Sequence, residues 1–474
     1  MSNSPGANDS AQAALSKNTI RPSSATLTRG SIPAHLVSQT MPMVIGVAAM
    51  MSIGLVDAFF VGQLGSVELA AISFIFPVAV ALSSLGIGVM VGINSVVARA
   101  IGEGDDEKAQ RRANFGMLFA LAAGIIMGLS LIALLDPIFA LMNAPAEVLP
   151  LIRDYMIPFA LGFPLTMMTM GFNGVLRAQG EARKASYISL TFAGANWILD
   201  PILITGAFGF AGFGISGAAY ATIIGWAIGV TLALYLLRST SIPFDPKRLK
   251  GVRPFESMSA ILRVGVPAAC ANAINPLGLT ILTALAANEG QAAVAGFGAA
   301  GRLQSFAVVP LLALSGSIGA IVGQNWGAER YDRAREAALY AGGFCVVWGL
   351  GIAIAMISAG EWFADFFTED PAVIAEFALY LQIAAWGYAG FGLLIVANGI
   401  LNAVDKAMFA LLQSFARVFL VMLPIAWMLQ ADWGSPAIYS AELAANLFGA
   451  VTAILIVGIV LRTNSAVYQR MPGG

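Results

Sequence analysis

The fold of this chain follows from residues 36–65, which read LVSQTMPMVIGVAAMMSIGLVDAFFVGQLG. Between Leu36 and Val56 there is no Asp, Glu, Lys or Arg, and about 20 such residues are enough for a helix to span a bilayer. The stretch lacks the polar–apolar alternation of a barrel strand and is rich in Met and Ala, so it predicts a transmembrane helix. It is followed by one carboxylate, Asp57, five residues before Gly62. An ionisable side chain at membrane depth is a candidate functional residue.

Comparable apolar stretches recur as far as residue 461. With the first they number twelve: 36–61, 69–98, 113–135, 149–176, 185–206, 213–237, 264–287, 294–322, 336–359, 372–401, 407–429 and 436–461. The predicted fold class is therefore an all-α integral membrane protein with twelve transmembrane helices.

The composition supports a membrane protein and excludes other classes. The chain is 58% hydrophobic and 11% charged, whereas soluble domains are roughly 25% charged, so an ordinary soluble enzyme is excluded. The 25 basic residues against 26 acidic ones leave no positive excess for nucleic acid. The two cysteines, Cys270 and Cys345, lie in apolar runs and predict neither a disulfide framework nor a metal site.

Basic residues set the expected orientation. Most of them fall in the even-numbered connections and in the two tails, which predicts that both termini are cytoplasmic. Residues 1–34 lack an apolar run and are expected to form a disordered cytoplasmic tail rather than a signal peptide. The expected location is the inner membrane, with many passes.

The chain contains an internal repeat at an offset of 225 residues. Three pairs of landmarks share this offset: Pro42 with Pro267, 98–102 with 323–327, and 173–176 with 398–401. Each repeat holds six helices, so the two lobes have the same topology and are related by a pseudo-two-fold axis along the membrane normal, an arrangement that favours a transporter over a channel. The predicted division is a first lobe at 35–238, a linker at 239–256, a second lobe at 257–462 and a cytoplasmic tail at 463–474.

Two carboxylates, Asp57 and Asp200, are predicted to lie at similar depth in the first lobe. Two such groups in a low dielectric do not both ionise readily, so the pair could bind and release a proton. Asn196 lies one helical turn before Asp200, and Pro201 removes a backbone donor and allows a bend, so it is a candidate conformational hinge. The alternative is that the carboxylates only cap or cross-link helices.

The repeat argues for a function of the pair. The counterparts of Asp57 and Asp200 at the offset of 225 are Leu282 and Ile425, so the fold itself does not require carboxylates there. Two further charges, Arg302 and Arg417, lie inside predicted helices. Each could snorkel, bind a backbone carbonyl partner or face a central cavity, and structural roles are favoured for both.

The order and spacing of several motifs resemble the multidrug and toxic compound extrusion (MATE) family over residues 36–462. These motifs are LVD at 55–57, VGQLG at 61–65, LAA at 69–71, ARAIG at 98–102, NGVLR at 173–177, QGE at 179–181, NWILDP at 196–201 and GAAYAT at 217–222. The resemblance implies a twelve-helix antiporter of two lobes, driven by protons or sodium, and not an enzyme.

The resemblance also implies a first-lobe cation site of the bacterial and archaeal proton-type branch. Its residues would be Asp57, Asn173, Asn196, Asp200 and Thr222. The membership of Asn173 rests on the resemblance, because it lies only four residues before Arg177, near the cytoplasmic side. Sodium-type relatives carry two second-lobe carboxylates, where this chain has Asn275 and Phe391. This departure argues against a second-lobe sodium site and leaves first-lobe sodium binding open.

The expected function is therefore export of organic compounds, cationic or amphipathic, in exchange for protons by alternating access. Two alternatives remain: a sodium-coupled exporter, and a flippase for lipid-linked precursors, which would need a more cationic cavity. A membrane enzyme is not supported. The expected partners are small organic molecules and the lipid bilayer, with no nucleic acid. The chain is expected to act as a monomer without a cofactor, and its coupling ion is a proton or Na⁺.

Overall fold

The computed structural model describes residues 25–249, 251–365 and 368–468, and almost all of them are helical. Twelve long helices, α1 to α12, coincide one by one with the twelve predicted stretches. The first six are α1 Ile32–Gly62, α2 Ser66–Gly102, α3 Asp106–Leu141, α4 Leu149–Ala178, α5 Ala182–Leu203 and α6 Ile215–Leu237. The others are α7 Pro254–Ala287, α8 Gln291–Ala307 with Val309–Gly327, α9 Tyr331–Ser358, α10 Pro371–Ala403, α11 Ala407–Trp433 and α12 Ser435–Tyr468. The predicted fold class is confirmed.

Most of these helices are suited to cross a membrane. Ten are long and apolar enough, and α8 is an eleventh if its two segments, bent by 42°, count as one span. The twelfth, α5, has 22 residues, about 33 Å at the rise of an α-helix, and it is less apolar because it carries Asn196 and Asp200. Large apolar side chains such as Ile126, Val347 and Ile454 point outward from the bundle, as a lipid-facing surface requires.

The internal repeat is reproduced in the packing of both lobes. In the first lobe α1 packs on α5, α2 and α3 on α4, and α4 on α6; in the second, α7 packs on α11, α8 and α9 on α10, and α10 on α12. Individual contacts repeat as well. Gly124 lies against the backbone of Pro164, and at the same offset Gly349 lies against Ala389. The two lobes therefore have the same internal architecture.

The two lobes meet on the side of the molecule that carries the even-numbered connections, here named the basic face; the opposite side is the distal face. A Cβ on Gly102 would lie 2.1 Å from the carbonyl oxygen of Gln324, and one on Gly327 would lie 2.1 Å from that of Arg99. Residues 99 and 324, like 102 and 327, differ by 225, so the contact is reciprocal. Deeper in the bundle, Gly88 approaches the carbonyl oxygen of Gly265.

Hydrogen bonds between the lobes lie in the same region. Ser95 Oγ donates to the carbonyl oxygen of Asn402 at 2.5 Å, Arg99 Nη1 to that of Ala403 at 2.8 Å, and at mid-depth the Thr40 and Ser317 hydroxyls are 2.7 Å apart. In the described part of the chain, no hydrogen bond joins the lobes near the distal face. The cleft between them is therefore closed at the basic face.

The chain before α1 also takes part in this closure, which differs from the predicted tail. Leu27 is buried, its N–H donates to Gln324 Oε1 at 3.1 Å, and its side chain lies against Gly180 of the first lobe. Arg330 Nη1 donates to the carbonyl oxygen of Thr28 at 2.9 Å. Residues 25–28 are thus packed across both lobes, while residues 1–24 of the predicted tail lie outside the described residues. At the other end, α12 continues to Tyr468, beyond the predicted boundary at 462, and 469–474 lie outside the described residues.

Candidate ion site and central cavity

The carboxyl groups of Asp57 on α1 and Asp200 on α5 lie within hydrogen-bonding reach of each other near the distal ends of their helices. Asp200 has no exposed surface. Among the described residues, no donor bonds to Asp57 Oδ1 or to either oxygen of Asp200. Ionised carboxylates can only accept hydrogen bonds. Two neighbouring carboxyl groups without another donor can therefore form a hydrogen bond only when one of them carries a proton. This geometry is suited to hold a proton between the two side chains.

Asn196 and Thr222 adjoin the carboxylate pair. The Thr222 hydroxyl donates to Asn196 Oδ1 at 3.4 Å, and Asn196 Nδ2 donates to the carbonyl oxygen of Phe192 at 2.9 Å. Asn196 is fully buried, one turn before Asp200 on α5. The helix continues past Pro201 to Leu203. The structure thus groups four of the five residues of the predicted cation site, and the role of Pro201 as a hinge stays a prediction.

Asn173, the fifth residue of that site, lies elsewhere. It is five residues from the basic end of α4, its amide donates to the carbonyl oxygen of Thr169 at 3.1 Å, and it lines the central cavity. None of the hydrogen bonds within the described residues links Asn173 to the other four. Its position near the basic face is the one that its spacing from Arg177 predicts.

Tyr155 is a neighbour of the pair that the sequence analysis missed. It is buried on α4, and its hydroxyl is close enough to interact electrostatically with both Asp57 and Asp200. The signal that could have found it is the repeat: its counterpart at the offset of 225 is Tyr380, whose hydroxyl donates to Glu442 at 2.9 Å. Each lobe therefore places a buried tyrosine within electrostatic range of a buried carboxylate, and in the second lobe the two are hydrogen-bonded.

Glu442 is a second functional candidate that the sequence analysis missed. It lies seven residues into α12 and is 1% exposed. It accepts hydrogen bonds from Gln304 Nε2 and from Tyr380, each at 2.9 Å. In the sequence Glu442 lies near the start of a predicted helix, as most acidic residues of this chain lie in loops or at helix ends, so it did not stand out as a functional candidate.

The structure separates the two arginines that were predicted inside helices. Arg302 is exposed on α8, whereas Arg417 is 3% exposed and lies on the wall of the central cavity. Arg417 Nη1 donates to Asn275 Oδ1 at 2.8 Å, and its guanidinium carbon is 4.8 Å from the centre of the Phe391 ring. The alternative that an arginine faces a central cavity is therefore realised by Arg417.

The central cavity lies between the lobes and has a volume of ≈ 530 Å³. That is within the range of sites for drug-sized molecules. Its wall is largely apolar, with Met, Ile and Leu side chains from both lobes, the aromatic rings of Trp226 and Phe391, and several Asn and Ser side chains. Methionine side chains adapt their shape to varied ligands. In the described part of the chain, no three His, Cys, Asp or Glu side chains come together as a metal site would need.

Two six-helix lobes around a shared cavity form an architecture that is found in membrane transporters built from two repeats. The sequence profile of the MatE family matches the chain twice, at residues 42–202 and 267–428, once in each lobe. The chain belongs to this family, the MATE transporters, and as such is a transporter and not an enzyme.

Relatives and solved structures agree with this assignment. The chain is 34% identical over 398 residues to the FAD transporter of Shewanella oneidensis. The aligned region covers 82% of this chain and 86% of that protein. It is 26% identical over 428 residues to the multidrug export protein MepA of Staphylococcus aureus, covering 88% and 92%. The crystal structure of a mutant of the Vibrio cholerae MATE transporter VcmN superposes with a TM-score of 0.87 at 27% identity, covering 94% of this chain and 99% of that one.

Proposed function

We propose that this transporter is an antiporter that exports small organic compounds in exchange for protons. The observation that carries the proposal is the contact between the carboxyl groups of Asp57 and Asp200. Three of their four oxygens receive no hydrogen bond from any other described residue. A proton that enters this pair satisfies the contact, and its loss leaves two negative charges in a buried site. The two states differ strongly in electrostatic energy, as a coupling site requires.

The proton site belongs to one lobe. Leu282, the counterpart of Asp57, is completely buried in the apolar core of the second lobe. Protonation therefore changes the charge of the first lobe and leaves the corresponding place in the second lobe unchanged. We expect protonation of the pair to change the shape of the first lobe but not of the second. The bend would occur in α5 at Pro201, next to Asp200.

The distribution of basic residues supports an orientation of the protein in the membrane, and with it a direction of transport. The positive-inside rule assigns the basic face to the cytoplasm, so the closure at Gly102 and Gly327 seals the cytoplasmic side and the cleft faces outward. This state would release substrate and take up protons. We propose the inner membrane as the location and the monomer as the working unit, because both lobes and the whole cavity wall come from one chain.

Alternatives remain both for the coupling ion and for the substrate. Sodium could replace the proton, because the Asn196 amide oxygen and the Thr222 hydroxyl oxygen on the neighbouring helix each keep a lone pair beyond their mutual hydrogen bond. For the substrate, the relative described as an FAD transporter favours a flavin nucleotide, and the relative described as a multidrug exporter favours varied organic compounds. A flippase for lipid-linked precursors shares the pyrophosphate group with FAD.

The test uses the purified protein in liposomes, with a pH gradient and a sodium gradient imposed separately on a panel of fluorescent substrates. We expect transport to follow the pH gradient, and the variants Asp57→Asn and Asp200→Asn to lose that response while staying folded in detergent. Asp136→Asn removes an exposed carboxylate and is the matched control, as is the volume-conserving Leu282→Met. Wild-type coupling in both carboxylate variants would show that the ion site lies elsewhere.

A further inference from the structure

Two arginine side chains, and no carboxylate, lie on the wall of the central cavity as far as the structure describes it. The arginines are Arg177 from α4 and Arg417 from α11, one from each lobe. Arg177 lies among the basic residues that predict the cytoplasmic side, but helix α4 includes it and its side chain reaches the cavity.

Arg177 has no partner in the described chain. It makes no hydrogen bond and no ion pair there, and its buried Nε is unsatisfied. Its guanidinium reaches the second lobe, because a Cβ on Gly316 would lie 3.0 Å from Arg177 Nη1. A guanidinium carries five N–H donors and remains charged, so Arg177 presents unused donors at a place where the two lobes meet.

Arg417 is held by neutral groups. Its Nε and Nη2 donate to Asn446 Oδ1 at 3.1 and 2.7 Å, and its Nη1 donates to Asn275. Among the described residues, Glu442 is the one carboxylate near enough to interact with it electrostatically. The oxygens of Glu442, however, accept from Gln304 and Tyr380 rather than from the arginine. At most one of the two cavity charges is therefore offset by the protein.

An uncompensated cation inside a membrane protein is costly, and it marks a ligand or ion pathway when it faces a cavity. Arginine is suited to phosphate and carboxylate groups, which it binds through paired N–H donors. The charge of the wall thus attracts anions and repels cations. This differs from the cationic or amphipathic substrates expected from the sequence.

The same wall provides a place for a planar ring. Trp226 lines the cavity and is stacked on Phe192 with ring centres 3.8 Å apart, which fixes its orientation. Phe391 lines it on the other lobe, beneath the guanidinium of Arg417. Aromatic side chains of this kind stack on flat heterocycles.

We infer that the central cavity selects organic anions that combine a phosphate group with a planar ring, with Arg177 and Arg417 binding the anionic group and Trp226 and Phe391 contacting the ring. This inference rests on the proposed transport function and names its substrate class. A flavin nucleotide has both features, and a lipid-linked pyrophosphate has the first.

The test compares uptake of three compounds into liposomes that contain the wild-type protein: FAD, riboflavin and ethidium. FAD and riboflavin share the ring system but only FAD carries phosphates, and ethidium is a planar cation. We expect FAD to be transported at least tenfold better than the other two, about the effect of charge-assisted hydrogen bonds. Arg177→Gln should lower FAD uptake by a similar factor and Arg177→Lys should restore part of it, while the exposed Arg302→Gln should have no effect.

Arg177→Gln is the informative variant because no described side chain loses a partner, so its folding should be unaffected. Transport of ethidium but not FAD, driven by a pH gradient, would overturn the inference and leave the proposed antiport intact. Absence of ion-driven transport of every compound in the wider panel would instead refute the proposed function. Competition for FAD uptake by ADP, which carries both phosphates and a planar base, supports the inference. Competition by farnesyl pyrophosphate alone would mean that the phosphate group is bound without the ring and, like competition by neither compound, contradicts the inference.

Discussion

Closure of the basic face depends on two glycines, and adding one methyl group to either should open it. In Gly327→Ala the new Cβ would lie 2.1 Å from the carbonyl oxygen of Arg99, about 0.9 Å closer than the 3.0 Å below which real contacts essentially do not occur. The obstacle is backbone, which cannot turn aside as a flexible side chain can. The lobes must therefore move apart, and overpacking of this kind costs about 1–3 kcal/mol.

A free-energy change of about 1–3 kcal/mol shifts a two-state equilibrium by about 5- to 150-fold, so the ratio of open to closed molecules at the basic face should rise by about that factor. Spin labels on Glu103→Cys and Glu329→Cys, one exposed position in each lobe, report the separation in a Cys270→Ser background. We expect Gly327→Ala and Gly102→Ala to populate a longer distance.

The reciprocal contact gives this experiment an internal control. Once the lobes have separated for one methyl group, the second should cost less, so the double variant should shift the equilibrium by less than the product of the two single effects. Gly351→Ala, with no atom within 4 Å of the added Cβ, should leave the distances unchanged. Unaltered distances in both gate variants would refute the reasoning.

Three further predictions concern the ion site and the segment before α1. Tyr155→Phe should shift the pH midpoint of transport without abolishing it, because the hydroxyl interacts with both carboxylates; a profile equal to wild type contradicts this. Leu27→Ala should destabilise the closed basic face by about 2–5 kcal/mol, as loss of a buried leucine does, seen as a longer distance between the same labels, whereas Val37→Ala on an exposed site should not change it. Substrate affinity should rise as the pH rises through the range in which the pair loses its proton, because proton and substrate binding are reciprocally linked. The rise should be smaller in Asp200→Asn. A pH-independent affinity of the wild-type protein, measured with a substrate of constant charge, would disprove this prediction.

The sequence predicted the helices well because the thickness of a bilayer limits their length. For α4 the prediction was 149–176 and the helix is Leu149–Ala178; for α6 it was 213–237 and the helix is Ile215–Leu237. The prediction was short for α3, at 113–135 against Asp106–Leu141, because polar residues continue a helix beyond the apolar layer. The 42° bend within α8 had a signal that the single stretch predicted at 294–322 did not use: Pro310 directly follows the break and lacks the N–H that would continue the helix.

The candidate site was predictable only where a charge stood in a long apolar run. Asp57 and Asp200 satisfied that criterion, and the structure brings them together. Arg177 did not, because a basic residue one position from the end of a helix is taken for a loop residue. Its role depends on the second lobe, which places Gly316 beside it and leaves a cavity in front of it. Contacts of this kind arise from tertiary structure and are absent from local patterns.

The reciprocal glycine contact at the basic face has the form of an isologous interface. In a two-fold dimer, residue i of one subunit contacts j of the other, and j contacts i; here Gly102 meets Gln324 and Gly327 meets Arg99. The lobes thus meet as two copies of one six-helix subunit would. In such an ancestor every substitution would have occurred twice, once on each side of the axis. Joining the copies in one chain frees each half to change alone, which is how one lobe can carry Asp57 and Asp200 while the other has Leu282 and Ile425 at the same two positions.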